Sequence, residues 1–124
     1  MSEKRKEMED VLKELGRIGD VIGSAFVRRD GLLIVSVLPS EVDSRAVAAM
    51  TAAIVGTSET SAKELSIGDF YQVVVNATQG KYAAIGAGEE AILIALVRKE
   101  SNLGLILLEM DKSAKKLAGL AKSL

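Results

Sequence analysis

Asp43-Ser44-Arg45-Ala46-Val47-Ala48-Ala49-Met50-Thr51-Ala52-Ala53-Ile54-Val55-Gly56-Thr57-Ser58, running on to Leu65, is the stretch on which the reading of this 124-residue chain turns. Pro39 closes the run before it, and Ser40 with Asp43 three residues on marks a helix start. From Ala46 to Ser58 no residue is charged, whereas a helix lying on a sheet ordinarily shows water a charged stripe. Three stripes can be drawn at helical spacing. Val47, Met50, Ile54, Ser58, Ser61 and Leu65 carry the bulk and are expected to pack on the chain's own sheet. Ala46, Ala49, Ala53, Gly56 and Thr60 form a stripe of small residues that lets a second helix approach closely. Gly56 in mid-helix costs about 1 kcal/mol relative to Ala unless packing repays it. Arg45, Ala48, Ala52, Val55 and Glu59 form the third stripe, apolar in its middle. Alanine-rich helices are stable without partners, but Met50, Val55 and Gly56 suit a covered face better than a wet one. The small-residue stripe is therefore expected to meet the same helix of a second copy, and the third stripe to serve as a docking surface.

Upstream, Met8, Val11, Leu12 and Leu15 fall at i, i+3, i+4 and i+7, which predicts a helix over 3–15 ended by Gly16. Residues 21–38 predict a hairpin. Val21–Val27 and Leu32–Leu38 are apolar runs, with Asp30-Gly31 between them as the turn. Downstream, Phe70–Val75 is rich in aromatic and β-branched residues and predicts a strand. It carries no Lys or Pro, and only Asp69 at its start, as edge protection. At a sheet edge it would pair with its own copy across a two-fold axis. Lys81–Ile85 is a further strand. Ala91–Val97 is apolar at every position, so both its faces should be covered. From Leu103, steps of four and three through Leu107, Met110, Ala114, Leu117, Ala121 and Leu124 predict a closing helix capped by Asn102. The order is α-β-β-α-β-β-β-α.

Composition narrows the function. The chain has no Cys and no His, which excludes disulfides, thiolate catalysis, cysteine-based metal sites and the Ser-His-Asp triad. Sixteen basic residues against seventeen acidic ones give no pull toward nucleic acid. Phe26, Phe70, Tyr71 and Tyr82 are too few for base stacking. Gly86-Ala87-Gly88 precedes Glu89-Glu90 and lacks the Lys-Ser/Thr of a phosphate loop, so a hairpin turn fits better. Asp69, Glu89 and Glu90 lack the spacing of a cation loop. No cofactor or metal is expected. The charged first sixteen residues do not make a signal peptide, and Ala91–Val97 is too short to cross a bilayer. A cytoplasmic chain with no membrane insertion is expected.

Arg29-Asp30-Gly31-Leu32, the alanine-rich Ala46-Val47-Ala48-Ala49-Met50 and the run Ser101-Asn102-Leu103-Gly104-Leu105 before Glu109 carry a resemblance to the Roadblock / dynein light chain domain family. The element order matches over essentially the whole chain. The resemblance implies a single domain over 1–124, of α+β sandwich class. It implies a five-stranded antiparallel sheet with the long central helix on one face and the terminal helices on the other. It further implies a non-enzymatic homodimer joined through the central helices and the third strands into a ten-stranded sheet, and a Ras-like small GTPase as partner. Carried to this chain, the dimer interface is Ala46, Ala49, Ala53, Gly56 and Thr60 with Phe70, Tyr71, Gln72, Val73, Val74 and Val75. The GTPase-facing surface is Arg45, Ala48, Ala52, Val55 and Glu59. Arg28, Arg29 and Arg45 are the cations that could reach a partner's nucleotide. Fixing the partner's own catalytic loops would need only surface complementarity. An adaptor that never touches a nucleotide cycle is the alternative, and a small-molecule sensor or enzyme is the third.

Overall fold

The computed structural model describes residues 2–122. Eight elements follow one another: α1 (Glu3–Leu15), β1 (Val21–Arg28), β2 (Leu33–Val37), α2 (Ser44–Glu64), β3 (Gln72–Asn76), β4 (Gly80–Gly86), β5 (Ala91–Arg98) and α3 (Leu103–Ala121). The predicted element order holds throughout. Leu124, the last residue of the predicted closing stripe, lies outside the described residues.

The strands form one antiparallel sheet in the order β2-β1-β5-β4-β3. β5 therefore lies in the middle, and its uniformly apolar sequence is explained by burial on both faces. The two ends of the sheet are β2 and β3. Asp30-Gly31 makes the β1–β2 turn, with Gly31 at φ +96°, a backbone region that disfavours side chains. Strand β3 begins two residues later than the sequence predicts. Phe70 and Tyr71 precede it in a loop that starts at Ser66, itself at φ +54°.

Helices are set by their caps. Asp43 accepts from the backbone N–H groups of Arg45 and Ala46 at 3.1 Å each, and Asn102 accepts from that of Leu105 at 3.2 Å. Each satisfies orphan donors of a first turn.

Two cores flank the sheet. α1 and α3 cover one face, where Met8, Leu12, Phe26, Leu93, Ile106, Met110 and Leu117 interlock. α2 alone covers the other, over Ala25, Val27, Ala84, Ile92 and Ile94. Met8, Leu12 and Leu15 are buried as the stripe in α1 requires.

The inward face of α2 differs from the expectation. Its buried residues are Ala48, Thr51 and Val55, and of the bulky stripe Val47 alone among the hydrophobic residues packs, half-buried, against that core. The sheet supplies the volume here, through Ile92 and Ile94, so the helix approaches with small side chains. The β1–β2 turn adds to the squeeze: a Cβ on Gly31 would stand 3.6 Å from the Ala49 Cα and 3.8 Å from the Ala52 Cβ. Thr51 satisfies its buried hydroxyl against the Tyr82 hydroxyl at 3.4 Å.

Candidate protein interface

Turning Ala48, Thr51 and Val55 inward rotates the other stripes of α2 outward. Ala46, Ala49, Ala53, Gly56 and Thr60 lie exposed along its crest. A Cβ on Gly56 would meet nothing within 4 Å. The bulky stripe overhangs the β3 side of the sheet. Met50 is 56% exposed and Leu65 68% exposed, while Ile54 is half-buried.

Beneath this overhang runs an open groove of about 630 Å³ between α2 and β3. Ala53, Ile54, Thr57, Ser58, Ser61, Ala62 and Leu65 form its helical wall. Ile67, Asp69, Phe70, Tyr71, Gln72 and Val73 form the other side. Phe70 and Val73 also pack on the α2-side core. Ile67 at 72% and Tyr71 at 68% exposure stand at its mouth. An apolar concavity of this kind is costly to leave wet.

Polar atoms on the groove wall are already satisfied. Thr57, Ser58 and Ser61 donate their hydroxyls to the carbonyl oxygens of Ala53, Ile54 and Thr57 at 2.8, 2.7 and 2.9 Å. Covering this wall with protein would strand no hydroxyl donor.

Along the groove, β3 presents a free edge. It pairs with β4 alone, in unbroken register from Gln72↔Ile85 to Asn76↔Lys81. Its outer row of backbone groups has no strand partner in the sheet. Val73 and Val75 point to the α2 face, since their partners Ala84 and Tyr82 do, whereas Val74 belongs to the α1/α3 face.

The expected site residues thus divide. The crest stripe, Tyr71 and Val75 are exposed, and Phe70, Gln72, Val73 and Val74 are half-buried beside the free edge. Within the expected GTPase surface, Ala48 and Val55 are core residues at 0% and 1% exposure, which corrects that assignment: neither can touch a partner without unfolding the α2-side core. Ala52 is half-buried and Arg45 is exposed. Glu59 is engaged by Arg29, whose Nη1 donates to its Oε2 at 2.6 Å. Arg29 is therefore turned toward α2. Ile54, Leu65 and Ile67 are the groove residues that the sequence reading assigns to the core or passes over, and Met50 stands exposed on the same flank. Their signal was present as a bulky stripe on an uncharged helix, but bulk was equated with inward packing.

Among the described residues there is no cluster of metal-ligating side chains, and no helix is long and apolar enough to cross a membrane.

A five-stranded antiparallel sheet with one long helix on one face and the two terminal helices on the other defines the fold class. Residues 7–97 match the model of the Roadblock/LC7 domain, and the chain belongs to that family. The uncharacterized protein MJ1340 of Methanocaldococcus jannaschii is 38% identical over 110 residues, which span 89% of this chain and 96% of that protein. A solved structure described as MglB with tetrameric arrangement superposes with a TM-score of 0.91 at 21% identity, covering 99% of this chain and 93% of the other. Myxococcus xanthus MglB superposes at 0.88 with 20% identity, over 99% and 93% of the two chains. At such identities the likeness is one of fold.

Proposed function

We propose that the chain is a non-catalytic homodimer that binds a Ras-like small GTPase and modulates its nucleotide cycle or its location in the cytoplasm. The observation that carries this reading is the uncovered flank of α2 lying beside an unprotected, in-register edge strand. A second copy related by a two-fold axis would satisfy both at once. Its β3 would add to the β3 edge, making ten strands, and its α2 would fill the groove. Met50, exposed on the same flank, is the side chain suited to enter the groove of the opposite copy, since an unbranched thioether adapts to irregular walls.

Pairing in this way brings the two crests of Ala46, Ala49, Ala53, Gly56 and Thr60 together on the face away from the sheet. That platform, with Arg45 at its ends, replaces the third stripe as the proposed docking surface for the partner. The GTPase as partner rests on membership of the Roadblock/LC7 family and the role which that resemblance implies. A surface platform acts by holding a partner's mobile loops, for which no catalytic side chain is needed.

The test has two parts. Sedimentation of the purified chain should give twice the monomer mass. Added to a cognate small GTPase, the dimer should change nucleotide hydrolysis or exchange, and Arg45→Glu, at an exposed residue of the proposed docking surface, should abolish that change while leaving the mass intact. Binding without any change in nucleotide turnover would favour the adaptor reading. A chain that stays single at high concentration would overturn the dimer and the platform together.

A further inference from the structure

The final two and a half turns of α2 have no anchor in the core. Its buried residues end at Val55, and residues 56–64 include no buried side chain. Gly56 opens this arm. Beyond it Thr57, Ser58, Thr60 and Ser61 all donate to carbonyl oxygens one turn back, at 2.7 to 3.1 Å. Hydroxyls that share helical carbonyls soften a helix, and a mid-helix glycine adds freedom. A segment so built belongs to the low-stability end of a fold unless something else holds it.

Arg29 holds it. Arg29 Nη1 donates to Glu59 Oε2 at 2.6 Å and Nη2 to the Gly88 carbonyl oxygen at 3.4 Å. Among the described residues this is the only ion pair or side-chain hydrogen bond joining residues 56–64 to another element. The seat is fixed from two sides. The Arg29 backbone N–H donates to Glu90 O at 2.9 Å. Gly86 leaves the space that the guanidinium occupies, for a Cβ there would lie 2.9 Å from Nη2. With side chains 27% and 37% exposed, the pair is screened less than one on open surface. Its Nε is buried without a partner, an uncompensated desolvation that leaves the latch releasable.

The same arm supplies Thr57, Ser58, Ser61 and Ala62 to the groove wall. We infer that Arg29 and Glu59 are positioning residues for self-association: they latch the arm of α2 at the angle that keeps the groove open to the α2 of a second copy. Arm ordering and dimer formation are then one coupled equilibrium. This inference rests on the homodimer reading.

Amide exchange and sedimentation of the full chain test it together. In Glu59→Gln, protection at residues 57–64 should fall about tenfold, with residues 44–55 and the sheet unchanged, and the dimer dissociation constant should rise about fivefold. Gly86→Ala, which crowds the guanidinium without touching a charge, should act in the same direction. The reversed pair Arg29→Glu with Glu59→Arg should recover both readouts to within about twofold, which loss of bulk packing would not. An arm no looser in Glu59→Gln overturns the latch. A looser arm with unchanged dimerisation overturns the coupling. A wild-type chain that is single overturns the homodimer reading, while arm protection still reports on the latch by itself.

Discussion

On the α1/α3 side of the sheet, two helices bring Leu12, Ile106, Met110 and Leu117 down onto Phe26 and Leu93. On the α2 side, one helix brings Ala48, Thr51 and Val55 down onto Ile92 and Ile94. The first face closes on itself. The second is too narrowly covered, because one helix spans only part of a five-stranded sheet, and the β3 half is left as a groove. The two ends of the sheet differ in the same sense. At β2 the register slips between Phe26 and Val27, leaving Ile34 as an extra residue, and Pro39 follows soon after. Bulges and prolines blunt an edge against pairing. β3 has neither feature. Edge protection is thus present at β2 and missing at β3, and the unprotected edge adjoins the part of the α2 face that a single helix leaves as a groove, as expected where another chain completes the structure.

The largest effect should come from reversing the inward face of α2. Val55→Arg places a charge in a fully buried seat and should cost about 4 kcal/mol in chemical denaturation. Unchanged stability would mean that Val55 faces outward, and the contrast between faces would fail. Met110→Ala, in the closed face, should cost about 3 kcal/mol. Ile54→Ala, in the groove wall, should cost below about 1 kcal/mol when measured at dilutions where the chain is single. Equal losses would show that the groove wall is as well packed as the core. Ala53→Glu should leave the melting curve of the single chain nearly unmoved while weakening self-association by about 2 kcal/mol in sedimentation equilibrium. The smallest effect is a gain. Gly56→Ala has open space for its methyl and should stabilise by about 1 kcal/mol, raising the melting temperature by a few degrees.

Much of the fold was legible in local patterns. The 3.6-residue stripe of α1, Asp30-Gly31 between two apolar runs, and Asn102 before the closing helix each name an element from neighbouring residues alone. The both-sided burial of β5 was readable because no polar residue interrupts Ala91–Val97. The candidate interface was legible only in part. The absence of charge from Ala46 to Ser58 marked α2 as a candidate interface helix. Which side meets the sheet was misread, since bulk in Met50, Ile54 and Leu65 was weighed without the bulk of the strands below.

The sequence by itself determined the type and order of the elements and the Asn102 cap of the last helix, because periodicity, turn chemistry and capping act over a few residues, although α2 is capped by Asp43 and not started at Ser40. It also determined that catalysis by His or Cys is excluded. Tertiary structure alone decided the rotation of α2 about its axis, the burial of Ala48 and Val55, and the placing of the unprotected β3 at an edge of the sheet. Those outcomes depend on how volume contributed by Ile92 and Ile94 matches the inward residues Ala48, Thr51 and Val55, more than thirty positions away in the chain, and no local rule contains that sum.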